Sequence, residues 1–424
     1  MTGLRGTLNL FDATAIGIGA IVGAGIFVVL GITIGYAGPA AIVSIIMAGV
    51  VASFTAFSFA EVSSAIPKEG GIYEYAYELV SPFLAFVVGC LWLVGQIVAG
   101  TAISLGFANY FVSLFPSLSP RLVAVIAALA LTALNLVGIK ESAMVNNALV
   151  ATKVAILVLF ILAGIPLIDV RNYSPFLSGG FSGIFQGAAF IFFAYLGFGR
   201  IATLGEEVKN PARTLPLSIL LALVTSVIIY VMTALVATGL QNYTLLAGSG
   251  SPIADAARVT GNYAVVATIS VGALIATASV LLTNLIGLSR VSFAMARNGQ
   301  LPGQIAKIDA RFGTPYVSII GAGLLMTALV LLLNLAETIA IASFSVLSAQ
   351  LVLNYSAIRV RRKMPKAGTF KTPLYPLIPL LGLVSSTVLM FSLPDISWIV
   401  AFFVAIVASG YYLIRRRFPG PPHN

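Results

Sequence analysis

A succession of long apolar segments is the feature that most constrains how this 424-residue chain can fold. A helix that crosses a lipid bilayer needs about 20 mostly apolar residues. Apolar runs bounded by glycine, proline and charge predict twelve such helices, of which the fourth is short. These spans cover residues 8–36, 38–66, 83–112, 121–137, 146–168, 181–203, 215–239, 263–290, 316–334, 336–358, 373–392 and 396–414. The sequence therefore predicts an all-α membrane protein, with a further short amphipathic helix at 251–260 in an outer loop.

Composition supports this prediction. Hydrophobic residues make up 59% of the chain and charged residues 8%, and the surface of a soluble domain needs far more charge. The single cysteine, Cys90, excludes an intramolecular disulfide. The single histidine, His423, lies next to the end of the chain, so we expect no imidazole ligand and no bound metal or other cofactor within the membrane.

The distribution of positive charge predicts the orientation of the spans. Nineteen of the 23 Lys and Arg residues fall on the side of the N-terminus, three (Arg121, Arg171, Arg258) fall on the other side, and Lys153 falls within a span. Cytoplasmic loops carry an excess of Lys and Arg. We therefore expect a multi-pass protein of the cell membrane with both termini in the cytosol. The formal charge of +10 is interpreted as a topology signal that also attracts anionic lipid, and no nucleic-acid partner is expected.

Two spans contain interruptions in corresponding positions. The first span has four glycines in nine positions, 17–25, and the sixth span has the segment 193–199 with two glycines. One interpretation is close helix packing through small residues. The other is a pair of broken helices, which mark the binding site in transporters built from inverted repeats.

Broken helices at mid-membrane predict the chemistry of a ligand. The amides at a helix N-terminus suit a carboxylate, and the carbonyls at a helix C-terminus suit an ammonium group. A site that exposes both ends fits a zwitterion, and an α-amino acid is the commonest one.

Four stretches of the chain resemble the amino acid–polyamine–organocation (APC) superfamily. They are GAIVGAGIF at 19–27; AEV at 60–62 with PKEGGIYEY at 67–75; FFAYLGFG at 192–199 with EEVKNPAR at 206–213; and ARNGQLP at 296–302 with TP at 314–315. Each stretch alone is weak, but all four occur in order across roughly the first 315 residues. Spans eleven and twelve add only the right helix count.

The resemblance implies a five-plus-five inverted repeat with broken helices 1 and 6, followed by two peripheral helices. The first repeat would cover 1–168 and the second 181–358, with helices 11 and 12 and a cytosolic tail in 373–424. It implies secondary active transport of L-amino acids by alternating access. The substrate carboxylate would meet the amides of Gly23, Ala24 and Gly25, and its ammonium group the carbonyls of Ile21, Phe193, Ala194 and Leu196.

Phe193 and Gly199 in the sixth span bear on how a substrate would be held. The resemblance makes Phe193 an aromatic gate over the substrate, although an ordinary packing role is the alternative for any one of 26 phenylalanines. Many members of the superfamily have an acidic residue where this chain has Gly199, followed here by Arg200. Arg200 either alters specificity or reaches the interface by snorkelling, and the sequence leaves its role open.

Lys153 is the candidate for coupling transport to an ion gradient. A lysine inside a span is costly and needs a reason, and the alternative to a function is snorkelling from two turns deep. The resemblance implies that Lys153 replaces a sodium ion between spans 1, 5 and 8 and carries the proton of a symporter. Its supporting neighbours would be the carbonyls near Gly17 and Ala20 and the hydroxyls of Thr277 or Ser279. Glu61 is the rival, although a role in gating or in bracing a loop suits it better.

Other functions remain as alternatives. An exchanger of amino acids or their amines without proton coupling is the nearest of them. A metal-ion carrier would need Met, Asp, Asn or His at the interruptions, and neither interruption has one. A channel would need a selectivity filter or a ring of charge, and the sequence shows neither. An enzyme is the weakest alternative, because no cluster of His, Cys and carboxylates is evident. The small residues Ala24 and Ala194 leave room for a neutral amino acid or a broad range, and the oligomeric state is open.

Overall fold

The apolar runs form α-helices, because a helix pairs its interior backbone groups with one another and lipid offers them no other partner. The computed structural model describes residues 8–66, 70–138, 143–202, 208–309, 311–365, 367–368 and 370–417. Within these residues there is no β-strand, and the one extended pairing is an isolated parallel bridge between Leu8 and Val208. Of the nineteen Lys and Arg residues predicted on the cytosolic side, Arg5, Lys68, Lys140 and Lys366 lie outside the described residues, as do parts of the second and third motifs (67–69 and 206–207).

The described part of the chain contains seventeen α-helices with short helical turns between some of them. The α-helices are α1 Leu10–Ile21, α2 Leu30–Ala37, α3 Ala41–Ala65, α4 Ile72–Leu79, α5 Pro82–Leu114, α6 Pro120–Leu136, α7 Ala143–Gly164, α8 Gly180–Ile191, α9 Gly199–Ala202, α10 Pro211–Leu240, α11 Tyr243–Leu246, α12 Pro252–Ala257, α13 Tyr263–Arg297, α14 Tyr316–Leu332, α15 Leu335–Lys363, α16 Leu377–Phe391 and α17 Asp395–Arg417. A π-helix covers Gly25–Val29, and 3₁₀ segments cover Gly38–Ala40, Ile165–Leu167, Val170–Tyr173, Phe192–Phe198, Arg258–Thr260 and Gly303–Ala306.

Eight helical stretches of the described chain are long and apolar enough to cross a membrane, and α6, α14 and α16 are shorter apolar helices. The first stretch, Leu10–Ala65, contains α1 to α3 and covers two predicted spans. The fourth predicted span is the 17-residue α6 and is short, as expected. The all-helical prediction is confirmed, and the count of twelve spans and the inverted repeat stay predictions.

The helix predicted at 251–260 is present but differs in its environment. It consists of α12 and the 3₁₀ turn Arg258–Thr260. Five of the six residues of α12 are buried: Pro252, Ile253, Ala254, Ala256 and Ala257. The prediction of an amphipathic helix lying across a loop was wrong, because small apolar residues let α12 sink between the longer helices.

Parts of the second and fourth sequence motifs meet in one polar network. The Tyr73 hydroxyl on α4 donates to Gln300 Oε1 over 2.9 Å, and Asn298 Nδ2 donates to Glu74 Oε2 over 3.2 Å. Gln300 Nε2 also donates to the carbonyl of Pro82 at the start of α5. These bonds fix the short α4 against the end of α13.

A buried ion pair joins α3 to α15. Arg361 Nε lies 2.5 Å from Glu61 Oε1, and the Glu61 side chain is only 2% exposed. Glu61 Oε2 also accepts from the backbone N–H of Thr372, whose carbonyl accepts from Arg361. The Arg361 guanidinium stacks 4.1 Å above the Tyr375 ring. The bracing role expected for Glu61 therefore has a concrete form, since Glu61 and Arg361 together hold the connection between α15 and α16.

We expect Arg361→Gln to lower the stability of the folded protein by about 3 kcal/mol, because it leaves the Glu61 carboxylate buried without its cation. The measurement is the thermal unfolding midpoint of the purified protein in detergent. Arg362→Gln is the matched control, since Arg362 is the next residue and is exposed. Equal midpoints for the two variants would show that the ion pair does not stabilise the fold.

Candidate functional site: a cavity between two helix breaks

The first predicted interruption is a break between α1 and the π-helix. α1 ends at Ile21, and Val22 turns into an extended conformation with ψ 99°. The π-helix begins at Gly25 and continues directly into α2. The last carbonyls of α1 and the first N–H groups of the next helix lack partners within their own helices. The break therefore presents both kinds of backbone group at the same depth.

The second predicted interruption is a change of helix type. α8 ends at Ile191, a seven-residue 3₁₀ segment follows from Phe192 to Phe198, and α9 begins at Gly199. A stretch of 3₁₀-helix this long is uncommon and often marks a hinge. The chain here is wound more tightly than the unwound segment that the sequence suggested.

Glycines let the two interruptions touch. A Cβ atom on Gly25 would overlap the Cα of Ala194, and one on Gly197 would overlap the carbonyl of Ala20. Both neighbours are backbone atoms, which cannot rotate away as the end of a flexible side chain could. The glycines at these two positions therefore serve close backbone approach.

A cavity of about 320 Å³ lies beside the two interruptions. Six of the seven predicted substrate-binding residues line it: Ile21, Ala24, Gly25, Phe193, Ala194 and Leu196. Gly23 does not, because it faces α13, where a Cβ would overlap the Val280 side chain. The cavity extends toward the end of the helices where Tyr73 and Arg290 lie. The Arg200 side chain lies outside what the structure describes.

Lys153 lines the same cavity and is 3% exposed. Its Nζ donates to the carbonyl of Gly19 on α1 over 3.2 Å. Residues one turn apart extend this contact between α7 and α1, since Val150 packs on Gly19 and Asn147 Nδ2 donates to Asp12 Oδ1 over 3.3 Å.

The four residues predicted to support Lys153 have different positions. Ala20 and Ser279 line the cavity. Gly17 instead packs against Ile201 and Ala222. The hydroxyls of Thr277 and Ser279 donate to backbone carbonyls of their own helix, α13. The carbonyl that Lys153 contacts is that of Gly19, between the two that were predicted.

Tyr230 on α10 is a residue of the site that the sequence analysis missed. Its hydroxyl lies 2.7 Å from the carbonyl of Ile21 and 3.3 Å from that of Ala194, so one phenol bridges both interruptions. Each carbonyl oxygen has two lone pairs, so the bond from Tyr230 leaves the Ile21 carbonyl with capacity for a ligand. A tyrosine in an apolar span was the available signal, because a buried phenol needs a hydrogen-bond partner.

A pair of amide side chains on the cavity wall was also missed. Asn284 Nδ2 on α13 donates to Gln96 Oε1 on α5 over 2.7 Å, and both residues line the cavity. The two residues are 188 positions apart in the chain, so local sequence patterns could not pair them.

Comparison with known proteins shows which family and which relatives this chain resembles. The family model described as "Amino acid permease" matches residues 12–414. A methylthioribose transporter of Bacillus subtilis is 35% identical to this chain, over 98% of the chain and 94% of the relative. A branched-chain amino acid permease of the same organism is 33% identical, over 93% and 89%. A chloroplastic cationic amino acid transporter of Arabidopsis thaliana is 35% identical, over 71% of this chain and 57% of the relative.

We expect Gly25→Ala to destabilise the protein by at least 1–3 kcal/mol, because the added methyl group overlaps backbone that can move only with its helix. The thermal unfolding midpoint in detergent reports the effect. Gly321→Ala is the matched control, because a Cβ there meets nothing within 4 Å and alanine favours a helix by up to about 1 kcal/mol. A Gly25→Ala protein as stable as the control would contradict the close approach of the two interruptions.

We expect Tyr230→Phe to cost about 1–3 kcal/mol, since the variant removes the donor that two buried carbonyls share. The loss is measured as the difference in unfolding midpoint from the unmodified protein. Tyr263→Phe controls for the loss of a phenol, because Tyr263 is 76% exposed. If both variants melt together with the parent, the bridge contributes nothing to stability.

Proposed function

This chain belongs to the amino acid permease family, whose members are transporters and not enzymes, and we propose that it is a proton-coupled symporter of L-amino acids. Transport would proceed by alternating access across the cell membrane, with both termini in the cytosol. The two inverted repeats would be 1–168 and 181–358, with 373–424 at the periphery. The observation that supports the proposal most is the cavity between two interrupted helices, because backbone groups freed at that depth are tolerated only where they line a cavity.

Backbone groups would hold the part of the substrate that all amino acids share. In this proposal the amides of Ala24 and Gly25, which line the cavity, bind the carboxylate at the positive end of the helix that follows them. The carbonyls of Ile21, Phe193, Ala194 and Leu196 bind the ammonium group. Tyr230 would keep the Ile21 and Ala194 carbonyls in place while the site is empty, because it already donates to both.

Lys153 would carry the proton. Its contact with Gly19 lies two residues before the end of α1, so the charge of the amine acts directly on the broken helix. Ile156, one turn further along α7, packs on Gly272 of α13. In this proposal the protonated amine ties α7 to α1, and loss of the proton loosens the contact so that α1 can move against α13.

We expect Lys153→Ala to abolish the dependence of uptake on a proton gradient. Full-length protein in liposomes should take up a labelled amino acid faster when the outside is more acidic, and the variant should show no such acceleration. Lys307→Ala, at an exposed lysine, should behave as the parent does. Full gradient-driven uptake by Lys153→Ala would end the coupling role.

The exchanger is tested in the same liposomes. Uptake that requires an amino acid inside and ignores the pH difference would favour exchange over symport. No uptake and no exchange of any amino acid would refute amino acid transport altogether.

Methylthioribose is a second candidate substrate, because it is named in the 35%-identical relative. The amides of Gln96 and Asn284 on the cavity wall can bind hydroxyl groups of an uncharged sugar. Competition by methylthioribose against labelled amino acid uptake decides whether it enters the same cavity.

A further inference from the structure

The part of the cavity wall formed by α5, α13 and α15 bears on which substrate side chains fit. On α5, the lining residues Trp92, Gln96, Ala99 and Ile103 recur at the spacing of one helix face. α13 contributes a facing set that includes Val280, Thr283, Asn284 and Gly287, and α15 contributes Val346, Gln350 and Leu353. Amide side chains on three helices thus interrupt an otherwise mostly apolar wall.

The Gln96–Asn284 pair lies close to the first break. Val280 packs against Gly23, and Asn284 follows Val280 by four residues on the same helix. Four residues are about one helical turn, or about 6 Å along the axis. A ligand held at the break therefore needs a side chain of only a few atoms to reach the pair.

The pair has hydrogen-bonding capacity to spare. Asn284 is 4% exposed and its Oδ1 has no partner. Among the described residues, the bond from Asn284 is the only one that the Gln96 side chain makes. An amide carries one acceptor oxygen and one donor nitrogen, so two amides joined by one N–H···O bond leave one oxygen and one nitrogen open, and the same holds if both amides are turned over together. The pair can thus bind a donor, an acceptor or a group that is both.

The charges that line the cavity also favour a neutral substrate side chain. Lys153 and Arg290 line it, and no described lining residue carries a carboxylate. A cation brought out of water into this wall would lose its hydration and find no anion to pair with. The wall therefore disfavours the side chains of lysine and arginine.

We propose that Gln96 and Asn284 form a neutral amide subsite that selects amino acids with hydroxyl or amide side chains and excludes cationic ones. This inference rests on the proposed function, since the substrate backbone must be held at the helix breaks. A hydroxyl or amide side chain replaces the water that the open amide groups lose, and an apolar side chain of the same shape does not.

The first test uses the unmodified protein in liposomes with three labelled amino acids. Threonine and valine have nearly the same shape, and one hydrogen bond of ordinary strength corresponds to a preference of about 3- to 10-fold for threonine. Lysine uptake should stay at the level of empty liposomes. Equal uptake of threonine and valine, or uptake of lysine as fast as threonine, would refute the subsite.

The second test changes the subsite itself. Asn284→Leu and Gln96→Leu should each bring the threonine-to-valine ratio close to 1. Asn284→Asp and Gln96→Glu add a carboxylate at the same place and should raise lysine uptake relative to threonine at least about 10-fold. Gln304→Glu, in the exposed turn Gly303–Ala306, adds the same charge away from the cavity and should leave all ratios unchanged.

The outcomes separate this inference from the proposed function. Ratios in the variants that match those of the unmodified protein would refute the subsite while amino acid transport stands. Absence of uptake of any amino acid by the unmodified protein would refute the proposed function and the subsite with it. The unfolding midpoint of each variant identifies a folding defect, and the threonine, valine and lysine rates of the unmodified protein decide the inference where a variant fails to fold.

Discussion

Backbone polar groups that leave a helix inside a membrane must find partners, because lipid provides none. This constraint governs the centre of the molecule. The Tyr230 hydroxyl donates to the carbonyl of Ile21 at the end of α1 and to that of Ala194 in the 3₁₀ segment after α8. Tyr110 does the same for the carbonyl of Phe27 in the π-helix, at 2.6 Å. Two buried phenols thus supply hydrogen bonds to backbone carbonyls at and beside the interruptions.

The polar groups of the described chain divide into two kinds by location. Glu61 with Arg361 and Tyr73 with Gln300 connect helices to one another. The cavity is lined mostly by apolar residues, and its polar side chains are amides, hydroxyls and the two cations Lys153 and Arg290. The ion pair between helices thus contains a carboxylate, whereas the described lining of the cavity contains none.

The sequence predicted the positions of both interruptions because glycine density and motif order are local signals. Ile21, Ala24, Gly25 and Phe193 line the cavity as expected. Lys153 could be identified because a lysine within an apolar span stands out, but its partner could not be assigned more closely than one or two residues of Gly19. The roles proposed for these residues stay predictions.

Long-range pairs were beyond the sequence. Glu61 and Arg361 are 300 residues apart, and Gln96 and Asn284 are 188 apart. Each residue alone has an ordinary explanation as an interfacial charge or a tolerated polar residue. Only the packing of α3 against α15 and of α5 against α13 brings the partners together. The type of the second interruption was also missed, because a 3₁₀ segment and an unwound chain share the same glycine-rich signature.

The parallel bridge between Leu8 and Val208 has a mechanical consequence. Leu8 lies just before α1, Val208 lies a few residues after α9, and the N–H of Lys209 donates to the Leu8 carbonyl over 2.8 Å. The chain just before α1 is thereby hydrogen-bonded to the segment that precedes α10. A movement of the start of α1 away from this segment would break that bond. The first interrupted helix therefore has two kinds of contact with the second half of the chain. One lies where the two interruptions touch, and the other lies where the chain before α1 meets the segment before α10.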